Sequence, residues 1–288
     1  PPVVDDVEGR ALTRWCRCLA LLLGRALGDA VGEKYQSTVT TLILPSRHTD
    51  DTQALWRAAI KRGWNVERLR SFDVDPTWKD QDPVLYVDGL TADAVKDALC
   101  VTLTEPALDF LTNLPGSYLG RHVDFVTAGE ARELTVPTFI KPAGDKSFPA
   151  KVYASGVELP EYVPDETLVL TASPVIWHTE YRFFVQKRKP VTGSLYMYEG
   201  ELVEPGAPSP FRWGDTDSRA FIERLCADPD VTMPDACVID VGLIRYTGWA
   251  VVEANPAWAS GILECDPDKV LDVLREATVP ERLQHRTI

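Results

Sequence analysis

Apolar positions in the first part of the chain follow two different patterns. Between residues 8 and 34 they recur every three or four positions, which predicts one long helix. From residue 38 to residue 112, short apolar runs alternate with amphipathic stretches. Strands that alternate with helices indicate a parallel sheet, so we predict a small α/β domain here. The predicted strands are 39–44, 64–69, 84–87 and 101–103, and the predicted helices are 49–62, 91–99 (capped by Thr91) and 106–111.

A turn-forming segment at residues 114–116 marks a boundary, after which apolar runs are short and separated by turns. The stretch from about residue 121 to 134 is predicted to be helical. Residues 204–216 contain three prolines and two glycines, which predicts a long irregular loop that either covers a site or simply lies at the surface. The other predicted strands are 138–141, 151–154, 167–175, 180–185, 191–198 and 201–203, and the other predicted helices are 217–227 and 268–276.

The most informative pattern is IDVGLIRYTGWAVVEANPA at residues 239–257. Two apolar runs flank a turn that ends in glycine, which predicts a β-hairpin. Glu253 and Asn255 are two positions apart and so share one face of a strand, while Asp240 opens the partner strand. Two carboxylates and an amide oxygen on one face suit Mg²⁺ that also holds phosphates. A plain hairpin with carboxylates at its ends has the same pattern. Residues upstream of the hairpin must therefore decide between a metal site and a plain hairpin.

Composition narrows the class of protein. The chain has 288 residues, enough for about two domains, and its 45% hydrophobic and 25% charged content is ordinary for a globular protein. The formal net charge is −13, which argues against broad nucleic-acid binding because that needs a basic face. A small basic pocket for a nucleotide remains compatible with this charge.

Cysteine usage and apolar run lengths indicate a cytoplasmic protein. None of the six cysteines forms a Cys-x-x-Cys pair, so we expect reduced thiols rather than a zinc site. The apolar run at residues 18–23 is too short to span a bilayer. Acidic residues precede it, which is wrong for a signal peptide. We therefore expect no membrane association.

The order Asp240, Glu253, x, Asn255, Pro256 resembles the metal-binding hairpin of the ATP-grasp superfamily, as in D-alanine–D-alanine ligases. The spacing of 253 − 240 = 13 positions between the two acids also fits that family. This resemblance implies that Asp240, Glu253 and Asn255 bind Mg²⁺ beside ATP.

Residues 137–153, PTFIKPAGDKSFPAKVY, resemble the phosphate-binding segment of the same superfamily. The resemblance implies that Lys141, at the end of a strand, binds nucleotide phosphates. The usual loop rich in glycine and serine is depleted here, and Lys146 lies within it, where a lysine can replace backbone donors as a point charge. Lys151 is a further candidate. An arginine plus two lysines also resembles a less-studied ATP-grasp clade that is named for those residues.

The resemblance assigns roles to further residues by their position. Arg121 corresponds to a basic residue that reaches the nucleotide phosphates, and it could equally be a solvated surface arginine. Glu180 and Arg182 alternate with aromatic residues and so share one face. They could form a simple ion pair, but the family favours ribose for Glu180 and phosphate or substrate carboxylate for Arg182. The residues implied to read the adenine edge from the hinge between subdomains are Ser173, Pro174 and Val175.

We therefore predict an α/β (α+β) protein with a parallel α/β domain, followed by a two-subdomain ATP-grasp fold that holds ATP between two sheets. The predicted divisions are an N-terminal helix (1–36), the α/β domain (37–114) and the two ATP-grasp subdomains (115–175 and 176–288). The resemblance implies an ADP-forming ligase, in which ATP phosphorylates a carboxylate and an amine then attacks the acyl phosphate.

Arg182, Lys146 and Arg212 are the candidate catalytic residues, because transfer to a carboxylate brings anions together that cations must neutralise. The expected substrates are a small-molecule or peptide carboxylate and an amine, with ATP and Mg²⁺ and without nucleic acid. Two alternatives remain open at this point: a kinase on the same fold, and a nucleotide-binding regulatory module without turnover. The intact metal trio argues against the regulatory module.

Overall fold

The computed structural model describes residues 39–204, residue 206 and residues 212–281, with side chains from residue 216 onward in the last range. The predicted helix over residues 8–34 lies outside the described residues. Among the described residues, no helix has both the length and the apolar character needed to cross a bilayer.

The first sheet is parallel, as predicted. Its strands β1 (Thr41–Leu44), β2 (Asn65–Arg68) and β3 (Pro83–Leu85) lie in the order β2-β1-β3. Helix α1 (Asp50–Lys61) connects β1 to β2. Thr49 caps this helix in a capping box with Thr52, and two acids follow in the first turn, where the helix dipole favours negative charge. The central strand β1 is wholly buried, as expected for a strand covered on both faces.

Three predictions in this region were wrong in detail. Helix α2 (Gly89–Val95) is capped by Asp88 and not by Thr91, because the Asp88 carboxylate accepts the Thr91 N–H at 3.0 Å. Strand β4 (Val101–Leu103) pairs antiparallel with a C-terminal strand that the sequence pattern did not predict, and it stands outside the parallel sheet. The segment predicted to be helical at residues 106–111 forms a 3₁₀ turn slightly later, at Phe110–Asn113.

The second sheet is antiparallel, with strand order β5-β8-β6-β7. The stretch predicted to be a helix from residue 121 begins instead as β5, which pairs with β8 along its whole length, and only the short helix α3 follows. The elements are β5 (Val123–Thr127), α3 (Ala128–Arg132), β6 (Thr138–Pro142), β7 (Lys151–Tyr153) and β8 (Leu168–Ala172).

The third sheet has five antiparallel strands in the order β11-β10-β9-β12-β13. Helix α4 begins at residue 212, so the end of the predicted irregular loop is helical. The elements are β9 (Trp177–Gln186), β10 (Lys189–Tyr198), β11 (Glu201–Leu202), α4 (Arg212–Ala227), β12 (Ala236–Ile244), β13 (Gly248–Asn255), α5 (Pro267–Ala277) and β14 (Thr278–Pro280).

The two faces of the five-stranded sheet belong to different cores. Tyr181 and Phe183 of β9 pack with Phe221 and Ile222 of α4 on one face. Phe184, on the other face, belongs to a core that includes the first sheet and α5. Side chains alternate along a strand, so residues 180 and 182 point to the same side as Phe184, towards the first sheet. The predicted domain divisions stay predictions.

Candidate active site

The sheet register places three of the predicted site residues in one row. Asp240 of β12 lies opposite Glu253 of β13 on one side and opposite Arg182 of β9 on the other. Directly paired residues in an antiparallel sheet point to the same face, so the row brings two carboxylates and a guanidinium together. The strand pairing itself therefore builds the centre of the site.

Arg182 and Asp240 form a bidentate ion pair inside the protein. The arginine donates from Nε to Oδ1 at 2.9 Å and from Nη2 to Oδ2 at 2.7 Å. The Asp240 side chain is fully buried and that of Arg182 is 14% exposed. Burial raises the pKa of Asp240 to about 6, against the opposing effect of the Arg182 charge. The pair is thus buried but well hydrogen-bonded, the condition under which such pairs are tolerated.

Glu253 connects the second and third sheets. Lys141, on β6, donates from Nζ to Glu253 Oε2 at 2.6 Å, and Asn255 donates to Oε1 at 2.8 Å. Burial works to raise the pKa of Glu253, but the charge and hydrogen bond of Lys141, the Asn255 amide and Arg182 together hold it below its usual range. The Glu253 side chain is 30% exposed, so an ion can reach it from solvent.

The donor set fits a magnesium ion at Glu253 and Asn255. Both are oxygen-bearing, half-buried and adjacent, and Mg²⁺ typically takes one or two carboxylates together with phosphates and water. Asp240 differs from this expectation, because both of its oxygens bond Arg182 and its side chain has no exposed surface. Its role as a metal ligand stays a prediction. Within the described residues, no three His, Cys, Asp or Glu side chains form a ready metal cluster.

Tyr196 of β10 links two predicted site residues, and sequence reasoning did not find it. Its hydroxyl donates to Glu180 Oε2 at 2.7 Å, and the Arg182 guanidinium lies 5.5 Å from its ring centroid. Burial raises the pKa of Glu180, with the Tyr196 hydrogen bond opposing the shift and the Glu253 charge adding to it. A β-bulge between Leu195 and Met197 interrupts the alternation of β10, so no simple periodicity would have placed this tyrosine.

Arg121 makes structural contacts in this arrangement. It donates to the carbonyls of Leu119 (3.0 Å), Val251 (2.8 Å) and Val252 (3.1 Å), and its guanidinium lies 4.9 Å from the ring centroid of Trp177. Burial lowers the pKa of Arg121 to about 10. Its donors thus connect the segment before β5 to strand β13, and the phosphate contact predicted for Arg121 stays a prediction.

The structure leaves the other predicted residues apart from the row. Lys146 is exposed in the loop after β6, and Lys151 is exposed on β7, with its Nζ 4.7 Å from the Tyr153 ring centroid. Neither lysine forms an ion pair within the part of the chain that the structure describes. The backbone of α4 begins at Arg212, whose side chain lies outside the described residues.

The segment predicted to be a hinge, Ser173, Pro174 and Val175, connects β8 of the second sheet to β9 of the third. Ser173 and Pro174 are exposed, and the Ser173 N–H donates to the His122 carbonyl at 3.0 Å. The segment therefore joins the two sheets between which the nucleotide is predicted to lie. Its contact with adenine stays a prediction.

Two antiparallel sheets joined by this segment, with basic and acidic side chains facing each other across them, define the ATP-grasp class. Residues 118–273, more than half of the chain, match the family model for the ATP-grasp domain of family 2 in the clade that is named for one arginine and two lysines. The chain therefore belongs to the ATP-grasp superfamily, and within it to family 2 of that clade.

Solved structures confirm the fold. A RimK domain ATP-grasp protein from Sphaerobacter thermophilus DSM 20745 is 14% identical, with a TM-score of 0.50, over 82% of this chain and 99% of that one. The D-alanine–D-alanine ligase from Bacillus anthracis is 12% identical, with a TM-score of 0.50, over 86% and 99%. At these identities the likeness shows the fold alone. A search of curated protein sequences found no significant match.

Proposed function

We propose that this protein is an ATP- and Mg²⁺-dependent ligase that activates a carboxylate as an acyl phosphate and joins it to an amine. The observation that carries the proposal is the row of Arg182, Asp240 and Glu253, completed by Lys141 from the facing sheet. Family membership supports ligase chemistry in general, and one structural neighbour is itself named as a ligase.

In the proposed complex, ATP lies between the second and third sheets. Glu180 holds the ribose, residues 173–175 read the adenine edge, and Lys141 contacts the phosphates, with Lys146 and Lys151 as further cations. Glu253 and Asn255 would hold Mg²⁺, with Asp240 adding negative charge behind them. The ion, when bound, would neutralise charge on the phosphates.

The proposed chemistry needs cations more than it needs a side-chain nucleophile. A carboxylate oxygen of the substrate forms a bond to the γ-phosphorus while the bond to the ADP oxygen breaks. The amine nitrogen then attacks the acyl carbon, phosphate leaves, and the amine loses a proton to solvent. The first step brings anions together, so fixed cations stabilise its transition state. Arg182 fits this role because Asp240 holds its planar guanidinium in place from one side.

The experiment is a screen for ADP release across pairs of small-molecule or peptide carboxylates and amines. When an active acid is supplied without its amine, hydroxylamine should trap a hydroxamate while ADP accumulates. A stable phosphorylated product without hydroxamate would replace the ligase with a kinase. ATP binding without turnover for any pair would favour a regulatory module. The identity of both substrates and the cytoplasmic location stay predictions.

A further inference from the structure

The first turn of α1 contacts a segment far along the chain, after β13. Asp51 Oδ2 accepts a hydrogen bond from the Ile262 backbone N–H at 3.0 Å and another from the Tyr86 hydroxyl at 3.2 Å. An acid in a first helical turn is favoured by the helix dipole alone. This acid, however, also bonds a residue 211 positions away, so it makes a tertiary contact as well.

The peptide group that Asp51 holds is the same one that holds Arg182. The Gly261 carbonyl accepts a hydrogen bond from Arg182 Nη1 at 3.1 Å, and the Ile262 N–H belongs to the same peptide unit. A peptide unit is planar and rigid, so fixing its N–H also fixes its carbonyl. The result is a continuous series of hydrogen bonds from the Arg182 guanidinium, through one peptide, to the Asp51 carboxylate, and such bonds polarise one another.

The space at Gly261 shows how closely these groups approach. A Cβ atom built on Gly261 would lie 3.3 Å from Asp51 Oδ2 and 3.7 Å from Arg182 Nη1. Any side chain at this position would therefore press on the carboxylate and touch the guanidinium. The peptide runs directly between the two charged groups.

Arg182 is thus held from two sides. Asp240 takes the Nε and one Nη2 donor, and Gly261 takes one Nη1 donor. A guanidinium has five N–H donors, so these bonds among the described residues leave two for an anion. The direction of these two free N–H donors depends on both groups that hold Arg182, which are the Asp240 carboxylate and the Gly261 carbonyl. Asp51 is the group that fixes the Gly261 carbonyl.

We propose that Asp51 is a positioning residue for the reaction: it fixes the peptide between Gly261 and Ile262, and that peptide orients Arg182 towards the γ-phosphate of ATP. The inference rests on the proposed function, in which Arg182 contacts the transferred phosphoryl group. Under this proposal, helix α1 contributes a residue on which the site depends, although α1 lies outside residues 118–273, which match the ATP-grasp family.

The chain supplies a matched control. Asp50 and Asp51 are neighbouring acids of the same first turn, but Asp50 is exposed. Both Asp50→Ala and Asp51→Ala therefore remove one helix-dipole contact, and only the second releases the peptide. Asp51→Asn keeps a side-chain oxygen that can accept the Ile262 N–H. Gly261→Ala disturbs the same contact without removing any charge.

The readout is the ratio of ATP to ADP affinity, measured calorimetrically with Mg²⁺, because ADP lacks the phosphate that Arg182 would contact. We expect Asp51→Ala and Gly261→Ala to lower this ratio by about threefold or more, a fraction of one charge-assisted hydrogen bond. Asp50→Ala and Asp51→Asn should keep the wild-type ratio. A purely structural role of Asp51 would weaken both nucleotides alike.

Three outcomes would overturn the proposal: an unchanged ratio in Asp51→Ala, an equal loss in Asp50→Ala, or a loss in Asp51→Asn as large as in Asp51→Ala. If the wild type does not prefer ATP, the γ-phosphate contact proposed for Arg182 fails, whereas the ligase proposal is judged by the ADP-release screen, and the geometry around Arg182 is tested separately. The Arg182 Nε–H resonance, assigned by its loss in Arg182→Lys, must then shift in Asp51→Ala and not in Asp50→Ala. No shift in Asp51→Ala also overturns the proposal.

Discussion

Replacing Asp240 by Asn should destabilise the protein far more than replacing Glu253 by Gln. Asp240 is fully buried and bonds Arg182 through both oxygens, so the Asn variant leaves a buried guanidinium without its counter-charge. Removing one partner of a buried pair costs about 3–5 kcal/mol. The side chains of Glu253 and Lys141 are 30% and 20% exposed, so solvent screens the charge that Glu253→Gln leaves without a partner. We therefore expect Glu253→Gln to lower the free energy of unfolding by about 1–2 kcal/mol.

The assay is urea denaturation at pH 7, where Asp240 is mainly ionised if its pKa is about 6. With an m value of about 3 kcal/mol/M, the Asp240→Asn midpoint should fall by roughly 1–1.7 M. Asp268→Asn is a suitable control because Asp268 also pairs with an arginine, Arg62, but is 53% exposed. Asp268→Asn should lower the free energy of unfolding by about 0.5 kcal/mol, as for other surface ion pairs.

The outcome that refutes this reasoning is a loss of stability in Asp240→Asn no larger than in Asp268→Asn. In that case the buried pair would contribute no net free energy to the stability of the fold. An m value that changes strongly between variants would show that the denatured or native state itself had changed.

Two further predictions concern nucleotide binding. Lys141→Ala should weaken ATP binding by about one to two decades and adenosine binding much less, because phosphates are the only part of the nucleotide that the ammonium is proposed to contact; equal losses by calorimetry would indicate a folding defect. Tyr196→Phe removes the hydroxyl that orients Glu180 but keeps the ring beside Arg182, so it should raise KM for ATP about tenfold with little change in kcat. A fall in kcat with unchanged KM would contradict the ribose role of Glu180.

The parts of the site that lie on regular strands could be predicted from the sequence. Asp240 and Glu253 lie on the two strands of the predicted hairpin, but a register shift between Asp240 and Val241, which the turn alone does not predict, places them opposite each other. Glu180 and Arg182 follow the strict alternation of β9. For Glu180 and Arg182 local pattern and tertiary structure agree, because alternation along a strand determines which side chains share a face.

The rest depends on contacts that no local pattern contains. Asp51 bonds Ile262 across 211 positions, and nothing near either residue in the sequence indicates that contact. Tyr196 is placed by a bulge that shifts its register. Strand β5 was mistaken for a helix although its sequence, VDFVT, is rich in residues that favour strands, and its pairing with β8 agrees with that local preference. The phosphate contact assigned to Arg121 by position stays a prediction, and no local pattern indicated its hydrogen bonds to backbone carbonyls of β13.

The central claim is that a substrate carboxylate is activated as an acyl phosphate, and oxygen transfer tests it most directly. An acid found active in the ADP-release screen would be prepared with ¹⁸O in its carboxylate and converted with its amine. Glu253→Gln, which removes the charge at the proposed metal site, should give no turnover. For the wild type we predict that one ¹⁸O atom appears in the released inorganic phosphate, detected by ³¹P NMR. Phosphate without ¹⁸O, formed alongside amide product, would contradict the account.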